Sequence, residues 1–272
     1  MKVMDIRQYE AITSTCFVNA PVDQLFAGDL LELFIANRLQ PEIGLETNAL
    51  WDRDPCEFQK IADVFQEHRL TCTLHAPFFD LSPGGFDKKV VEVTREKLGR
   101  AFALIVVFQP RSIVCHLGFE ENKHRHKIDR WLETALQTWQ PLLAVAARSG
   151  TRVMFENTYE ISPDVHRILF EQLDAPHLRF CLDTGHLMAF AHTDWQPWIR
   201  DLAPWLGQLH LHDNDGKGDA HIALGKGVFD FQGLFSYLRQ ERMDPLLTLE
   251  PHTPEALQQS LQYIHSTRLF DR

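Results

Sequence analysis

The 272-residue chain is short of several things, and each absence narrows what it does. No apolar run approaches bilayer length: the longest, Ala101 to Phe108, falls far below the roughly 20 residues a membrane helix needs. The opening Met1-Lys2-Val3-Met4-Asp5 places no apolar stretch after its one basic residue, so no signal peptide is expected. The five cysteines include no Cys-x-x-Cys pair, which argues against a redox motif or a thiolate zinc site. Basic residues are outnumbered, 27 Lys and Arg against 37 Asp and Glu, for a net charge of −10. That balance disfavours a broad nucleic-acid surface, though bound metal ions would not enter the count. Residues 18–24, Val-Asn-Ala-Pro-Val-Asp-Gln, contain no glycine, so the dinucleotide-binding turn expected after a first Rossmann strand is missing.

Histidine, by contrast, is abundant, with 14 residues, several bunched in the second half. Cys16, Cys72, Cys115 and Cys181 fall in apolar, β-like segments. A free thiol there behaves as a small core residue, so the cysteines are read as reduced and structural in a cytoplasmic protein.

Short apolar or β-branched runs predict strands at Ile12–Val18, Pro41–Glu46, Thr71–His75, Ser112–His116, Arg152–Glu156, Leu178–Leu182, Gln208–His212 and Leu246–Glu250. Helical periodicity fills the gaps, as in Phe58–Glu67, Lys88–Phe108, Lys127–Arg148, Pro163–Leu173, Trp195–Leu206 and Phe231–Arg239. Ser162-Pro163 and Thr253-Pro254 read as helix caps followed by Pro at the first helical position, and Gly150 as a C-terminal stop. Eight strands alternating with helices over residues 1–272 predict one domain, a single (β/α)8 TIM barrel.

Catalytic residues of such barrels stand at the C-terminal ends of the strands. Here those ends read His75-Ala76-Pro77, His116-Leu117-Gly118, Glu156-Asn157-Thr158 and Asp183-Thr184-Gly185-His186. They continue with His210-Leu211-His212-Asp213, trailed by Asp219-Ala220-His221, and Glu250-Pro251-His252. Any one of these is an ordinary loop residue or, for Asp183, a helix cap. Together they would crowd uncompensated charge at one mouth, where buried charges need partners or metal. Imidazole plus carboxylate without thiolate suits Zn, Mn, Fe or Co.

These strand ends resemble the xylose isomerase-like barrel superfamily, which holds sugar isomerases and epimerases together with endonuclease IV-type phosphodiesterases. The resemblance spans nearly the whole chain. Similarity to the one-metal epimerases implies that Glu156, Asp183, His210 and Glu250 hold a single divalent ion. In the isomerase reading Glu156 and Glu250 exchange protons on opposite faces of a sugar as acid and base. Similarity to the trinuclear pattern implies a larger metal set: His75, His116, Glu156, Asp183, His186, His210, Asp219, His221 and Glu250, with up to three ions. Glu156 would bridge two of them, His75 and His116 holding one, Asp183 and His210 another, and His186, Asp219 and His221 a third. Leu224-Gly225-Lys226-Gly227 falls where that group has a Gly-x-Gly turn. His212 is read as supporting the ligands or touching substrate rather than ligating.

The resemblance has departures. No basic, base-wedging loop is found in Gly44-Leu45-Glu46-Thr47 or Trp51-Asp52-Arg53-Asp54, and Phe78 to Gly85 replaces the polar loop that the repair enzymes carry after His-Ala-Pro. Nucleic acid is therefore disfavoured as partner, and no membrane partner is expected. A small phosphorylated molecule is expected, with hydrolysis of its phosphoester favoured over the alternative of sugar isomerisation. A narrower resemblance, to cobamide-remodelling phosphodiesterases, rests on His-Ala-Pro-Phe and His-x-His-Asp-Asn-x-Gly. Lys123-His124-Arg125-His126 is read as a solvated helix start, and Trp131, Trp139, Trp195, Trp198 and Trp205 as packing residues.

Overall fold

A computed structural model describes residues 6–271. The strands are β1 Phe17–Pro21, β2 Gln40–Gly44, β3 Thr73–His75, β4 Ser112–His116, β5 Arg152–Glu156, β6 Leu178–Asp183, β7 Leu206–Leu211 and β8 Leu246–Leu249. All pair in parallel, in sequence order, and β8 closes on β1. The (β/α)8 barrel expected from the alternation is what forms.

Crossover helices pack their apolar stripes on the outside of the barrel. Pro55–Glu67 begins with a capping box, Asp54 accepting from Cys56 N–H while Glu57 reaches back to Asp54 N–H. Ile128–Ser149 buries Trp131 and Trp139 and stops at Gly150, whose φ of 68° needs no Cβ. Thr253 caps Pro254–Thr267 through Ala256 N–H.

Four readings are corrected. Residues 10–13 are helical, so β1 starts only at Phe17; Ser14 and Thr15 hydroxyls donate back to Ala11 and Ile12 carbonyls and close that turn. Leu104 breaks the expected 88–108 helix into Lys88–Ala103 and Ile105–Phe108. Leu206 opens β7 instead of ending a helix, after a 3-10 turn at Ala203–Trp205. Ser162 donates to the Asp164 carboxylate and caps nothing. Cys16 and Cys72 lie one residue before their strands, yet both are buried free thiols, as are Cys115 and Cys181.

The barrel interior is layered. Side chains two apart on a strand share a face, so each strand contributes to several levels. Phe17, Val114, Met154, Cys181 and Leu246 form an apolar plug. Level with it, since Phe17 pairs with Thr248 and Cys181 with Gln208, lies a polar floor around Glu42 of β2. Its Oε2 accepts from Thr73 Oγ1 at 2.7 Å, Gln208 Nε2 at 2.7 Å and Thr248 Oγ1 at 3.1 Å. The strand ends described below rest on this floor.

Outside the barrel, His166 is fully buried against Phe170, Phe180 and Trp198, and neither ring nitrogen has a well-formed hydrogen bond. Burial holds its pKa down to about 4 against an ordinary value of 6.5. Between those two values the unfolded chain takes up a proton that the folded chain refuses, so stability is present above 6.5 and falls as the pH drops toward 4. His166→Phe should flatten this part of the pH dependence. Urea denaturation of both proteins at about pH 4.5 and about pH 7 checks it: the wild type should lose more stability than the variant on going down.

Candidate metal and active site

All nine strand-end residues singled out in the sequence come together at the C-terminal mouth of the barrel in one connected network. On β5, Glu156 is the hub. Its Oε2 is 3.2 Å from His75 Nε2 and 2.9 Å from His116 Nε2, and its Oε1 is 3.0 Å from His210 Nδ1. Phe78 stacks on the outer face of His116 with ring centres 4.2 Å apart. Beside His116 opens a cavity of about 420 Å3 whose lining includes Phe78, Phe79, Lys123, Thr158 and Tyr159.

The ends of β5 and β6 are tied by Asn157, whose side-chain amide exchanges two hydrogen bonds with the Asp183 backbone. Asp183 Oδ1 then caps the following turn by accepting from His186 N–H at 2.6 Å. The capping reading and a functional reading hold together, because both Asp183 oxygens also lie 3.1 Å from His212 Nε2.

The loop after β7 is folded back by a single carboxylate. Asp213 accepts from the backbone N–H groups of Gly225, Gly227 and Phe229, and it bridges Ile222 backbone to backbone. The loop therefore returns Asp219 and His221 to the mouth. His221, in a left-handed conformation with φ 45°, stacks on His212 at 3.6 Å, and His252 stacks on His221 at 3.9 Å. Glu250 completes the ring, with Oε1 3.0 Å from His210 Nδ1.

Two carboxylates that the sequence analysis missed belong here. Glu42 Oε1 is 2.9 Å from His210 Nε2, and Glu46 Oε1 is 3.7 Å from His75 Nδ1. Both come from β2 or the residues just after it. The inward spacing Gln40, Glu42, Gly44, Glu46 was the signal that would have found them. His212 also differs from its expected place outside the donors. It shares one donor group with His186, Asp219 and His221, and another with Asp183 and Glu250. His210 lies deeper, with both nitrogens already facing carboxylates. His124 is buried rather than solvated, its Nδ1 accepting from Glu120 N–H.

The donor set fits divalent cations. His75, His186 and His221 each have Nδ1 on a backbone carbonyl, at 3.0, 2.9 and 2.9 Å. That arrangement leaves Nε2 turned toward a carboxylate, as metal-ligating histidines are held. The buried atoms His212 Nδ1 and Asp219 Oδ1 have no hydrogen-bond partner, a state that folding tolerates where a further ligand satisfies them. Among the described residues no Lys or Arg pairs with Glu42, Glu46, Glu156, Asp183, Asp219 or Glu250; their ionic partners are all histidines. Five overlapping donor groups result among the described residues: His75, His116 and Glu156; Asp183, His212 and Glu250; His186, His212, Asp219 and His221; Glu156, Asp183 and His210; and Glu42, His210 and Glu250.

Without metal the same groups shift one another. Burial favours neutral Glu156, but His210 and His116 outweigh it and hold the carboxylate well below its usual range. Glu250 is likewise held low, burial being outweighed by His210 and His221. Burial would depress His75 and His221, yet Glu156 beside the first and Asp219 beside the second lift both to about 9. His116 goes the other way, burial prevailing over Glu156.

A family model described as xylose isomerase-like TIM barrel matches residues 29–267. The TTHB071 protein of Thermus thermophilus, whose crystal was soaked with ZnCl2, is 26% identical, with a TM-score of 0.79 over 95% of this chain and 99% of its own. A D-tagatose 3-epimerase-like protein superposes with a TM-score of 0.79 at 18% identity, covering 93% and 97% of the two chains. The D-psicose 3-epimerase of Clostridium cellulolyticum H10, solved with D-tagatose, gives 0.73 at 12% identity over 93% and 98%.

The tightest point of the site is Gly185. A Cβ there would overlap the His212 imidazole at Cε1 and Nδ1, so the ring must move out of the circle of donors. Gly185→Ala should weaken divalent-ion affinity by roughly 10- to 100-fold, the usual effect of disturbing ligand support, as measured by competition with a chromogenic chelator. In chelated protein, His75 and His221 add stability that is complete below pH 6.5 and lost as the pH rises through about 9. The melting temperature should fall over that window, and added zinc should flatten the fall, because ligating imidazoles are neutral.

Proposed function

The chain belongs to the xylose isomerase-like TIM barrel family, and from that membership we propose a divalent-metal-dependent isomerase or epimerase acting on a small sugar. One observation carries the reading. Glu156 and Glu250, both buried, converge on the same His210 Nδ1 at 3.0 Å each, and their imidazole neighbours hold both ionised. Two carboxylates fixed about one point suit a proton taken from a carbon and returned to the substrate. Sugar epimerases among the structural neighbours support this order of preference. The phosphoester hydrolysis favoured in the sequence analysis finds no support there and becomes the second reading.

Asp183, His212 and Glu250, with Glu156, are the residues that would hold the ion central to the reaction. Such an ion polarises a carbonyl and its neighbouring hydroxyl. The rest is done by the chain. Glu156 takes the proton from the carbon beside the carbonyl, and Glu250, ionised at rest, takes up a proton from solvent before returning it to that carbon on the other face. Glu42 and Gln208 fix the imidazole of His210 from below, so the two carboxylates keep their spacing. Phe78 over His116 and Phe190 beside His186 narrow the mouth to water. A specific observation keeps the hydrolytic reading in view: five overlapping donor groups offer more than one proton transfer needs, whereas displacement at phosphorus uses paired ions.

The deciding experiment incubates metal-loaded protein with ketohexoses and ketopentoses in D2O, beside a panel of phosphomonoesters and phosphodiesters that includes abasic DNA. Deuterium should enter at the carbon next to the carbonyl. Glu156→Gln should lower that exchange by about 100-fold or more, the usual contribution of a positioned base. Phosphoester cleavage with no exchange into any ketose, and about three metal ions per chain, would establish the second reading instead.

A further inference from the structure

We propose that the opposite, N-terminal end of the barrel carries a separate site for a phosphate group, built on Arg111 and Arg152. The residue before β4 and the first residue of β5 are both arginines, and Arg152 N–H bonds the Arg111 carbonyl across the two strands. Arg152 stands two residues before Met154 of the apolar plug, so strand alternation turns it inward beneath the plug. Arg179 holds the corresponding place on β6, two residues before Cys181. Below them is a cavity of about 360 Å3, with Arg111, Arg152, Ser14, Thr15 and Gln40 in its lining.

Arg179 donates to the uncharged carbonyl of Leu178. Arg111, Arg152 and Arg179 form no ion pair with any described carboxylate. Arg239, also in the lining, has its guanidinium on the carbonyls of Leu269 and Asp271 and on Ser236 Oγ. Asp244 and Asp271 line the same cavity. Burial, then the charges of Arg111 and Arg179, lower the Arg152 pKa. An acidic protein that gathers like charges at a half-buried strand end incurs their repulsion, which an anion would relieve.

The backbone also makes room for the cluster. Phe180 pairs with Leu206 and Cys181 with Gln208, so Gly207 is an extra residue in β7, a bulge. A Cβ at Gly207 would lie 2.7 Å from Arg179 Cβ and 3.0 Å from Met154 Sδ. The bulge and the missing side chain let the Arg179 stem pass there. Planar guanidinium groups recognise phosphate through paired N–H donors. The cavity volume falls in the range of small-molecule sites, and it lies across the plug from the metal donors.

Calorimetric titration of the full chain with inorganic phosphate and with glycerol 3-phosphate tests the proposal. Chelator is kept present, so that ions at the mouth hold no phosphate, and chloride at matched ionic strength is the control. Saturable binding of either probe is expected, with a rise in melting temperature. Arg152→Met should weaken it by about tenfold or more, as loss of a charged hydrogen-bond donor does. Without phosphate, Arg152→Met should be no less stable than the wild type, since it removes an unpaired charge; a purely structural arginine would behave oppositely. Tighter binding of the ester identifies a phosphorylated metabolite as the occupant, and equal or tighter binding of inorganic phosphate identifies the free ion. No saturable binding of either probe, binding unchanged in both Arg152→Met and Arg111→Met, or a destabilised Arg152→Met that binds as the wild type does, would overturn it.

Discussion

Carboxylates crowded at one end of a barrel, with only imidazoles to answer them, are the constraint from which the rest of this structure follows. Burying an unpaired carboxylate costs several kcal/mol even after relaxation, and here Glu42, Glu156, Asp183 and Glu250 are buried side by side. Histidines offset that penalty in two ways. As cations they neutralise the cluster in the metal-free chain. As neutral ligands they complete a metal's coordination, and the carbonyl bonds at Nδ1 of His75, His186 and His221 orient them for that role. One arrangement thus serves two electrostatic states.

The layers beneath give that cluster something rigid to stand on. Thr73, Gln208 and Thr248 converge on one oxygen of Glu42, and Ser112 Oγ donates to the amide oxygen of Gln208. Residues from five strands, β2, β3, β4, β7 and β8, are thereby joined below His210. The apolar plug packs beside this floor, and the two together separate the mouth from the arginines at the other end. Opposite charges therefore collect at opposite ends of the same strands: β5 begins with Arg152 and ends with Glu156, and β6 carries Arg179 near its start and Asp183 at its end.

Loop architecture answers the same demand for partners. Asp213, fully buried, commits both of its oxygens to backbone N–H groups of the loop that follows. Buried backbone donors need such partners, and meeting that need is what returns Asp219 and His221 to the mouth. The stack of His212, His221 and His252 then fills the space above Glu250.

Much of this was legible in one dimension. Alternating apolar runs and helical periods specify a parallel barrel, because that pattern has few other ways to bury both faces of its strands. Barrel geometry in turn puts strand-end residues together, so His75, Glu156, Asp183 and Glu250 could be named from their positions alone. Caps such as Asp54 and Thr253 are local chemistry and read equally well. Tertiary structure decided what depends on height and direction inside the barrel. Strand stagger sets Glu42 level with His210, although 168 residues of chain separate them. It also brings His212 beside Asp183, where the sequence reading had set it outside the donors. The bulge at Gly207, the turn at residues 10–13 that delays β1, and the meeting of Arg111, Arg152 and Arg179 have no local signature. They arise because eight strands must close with a common tilt, and closure fixes which side chains share a level.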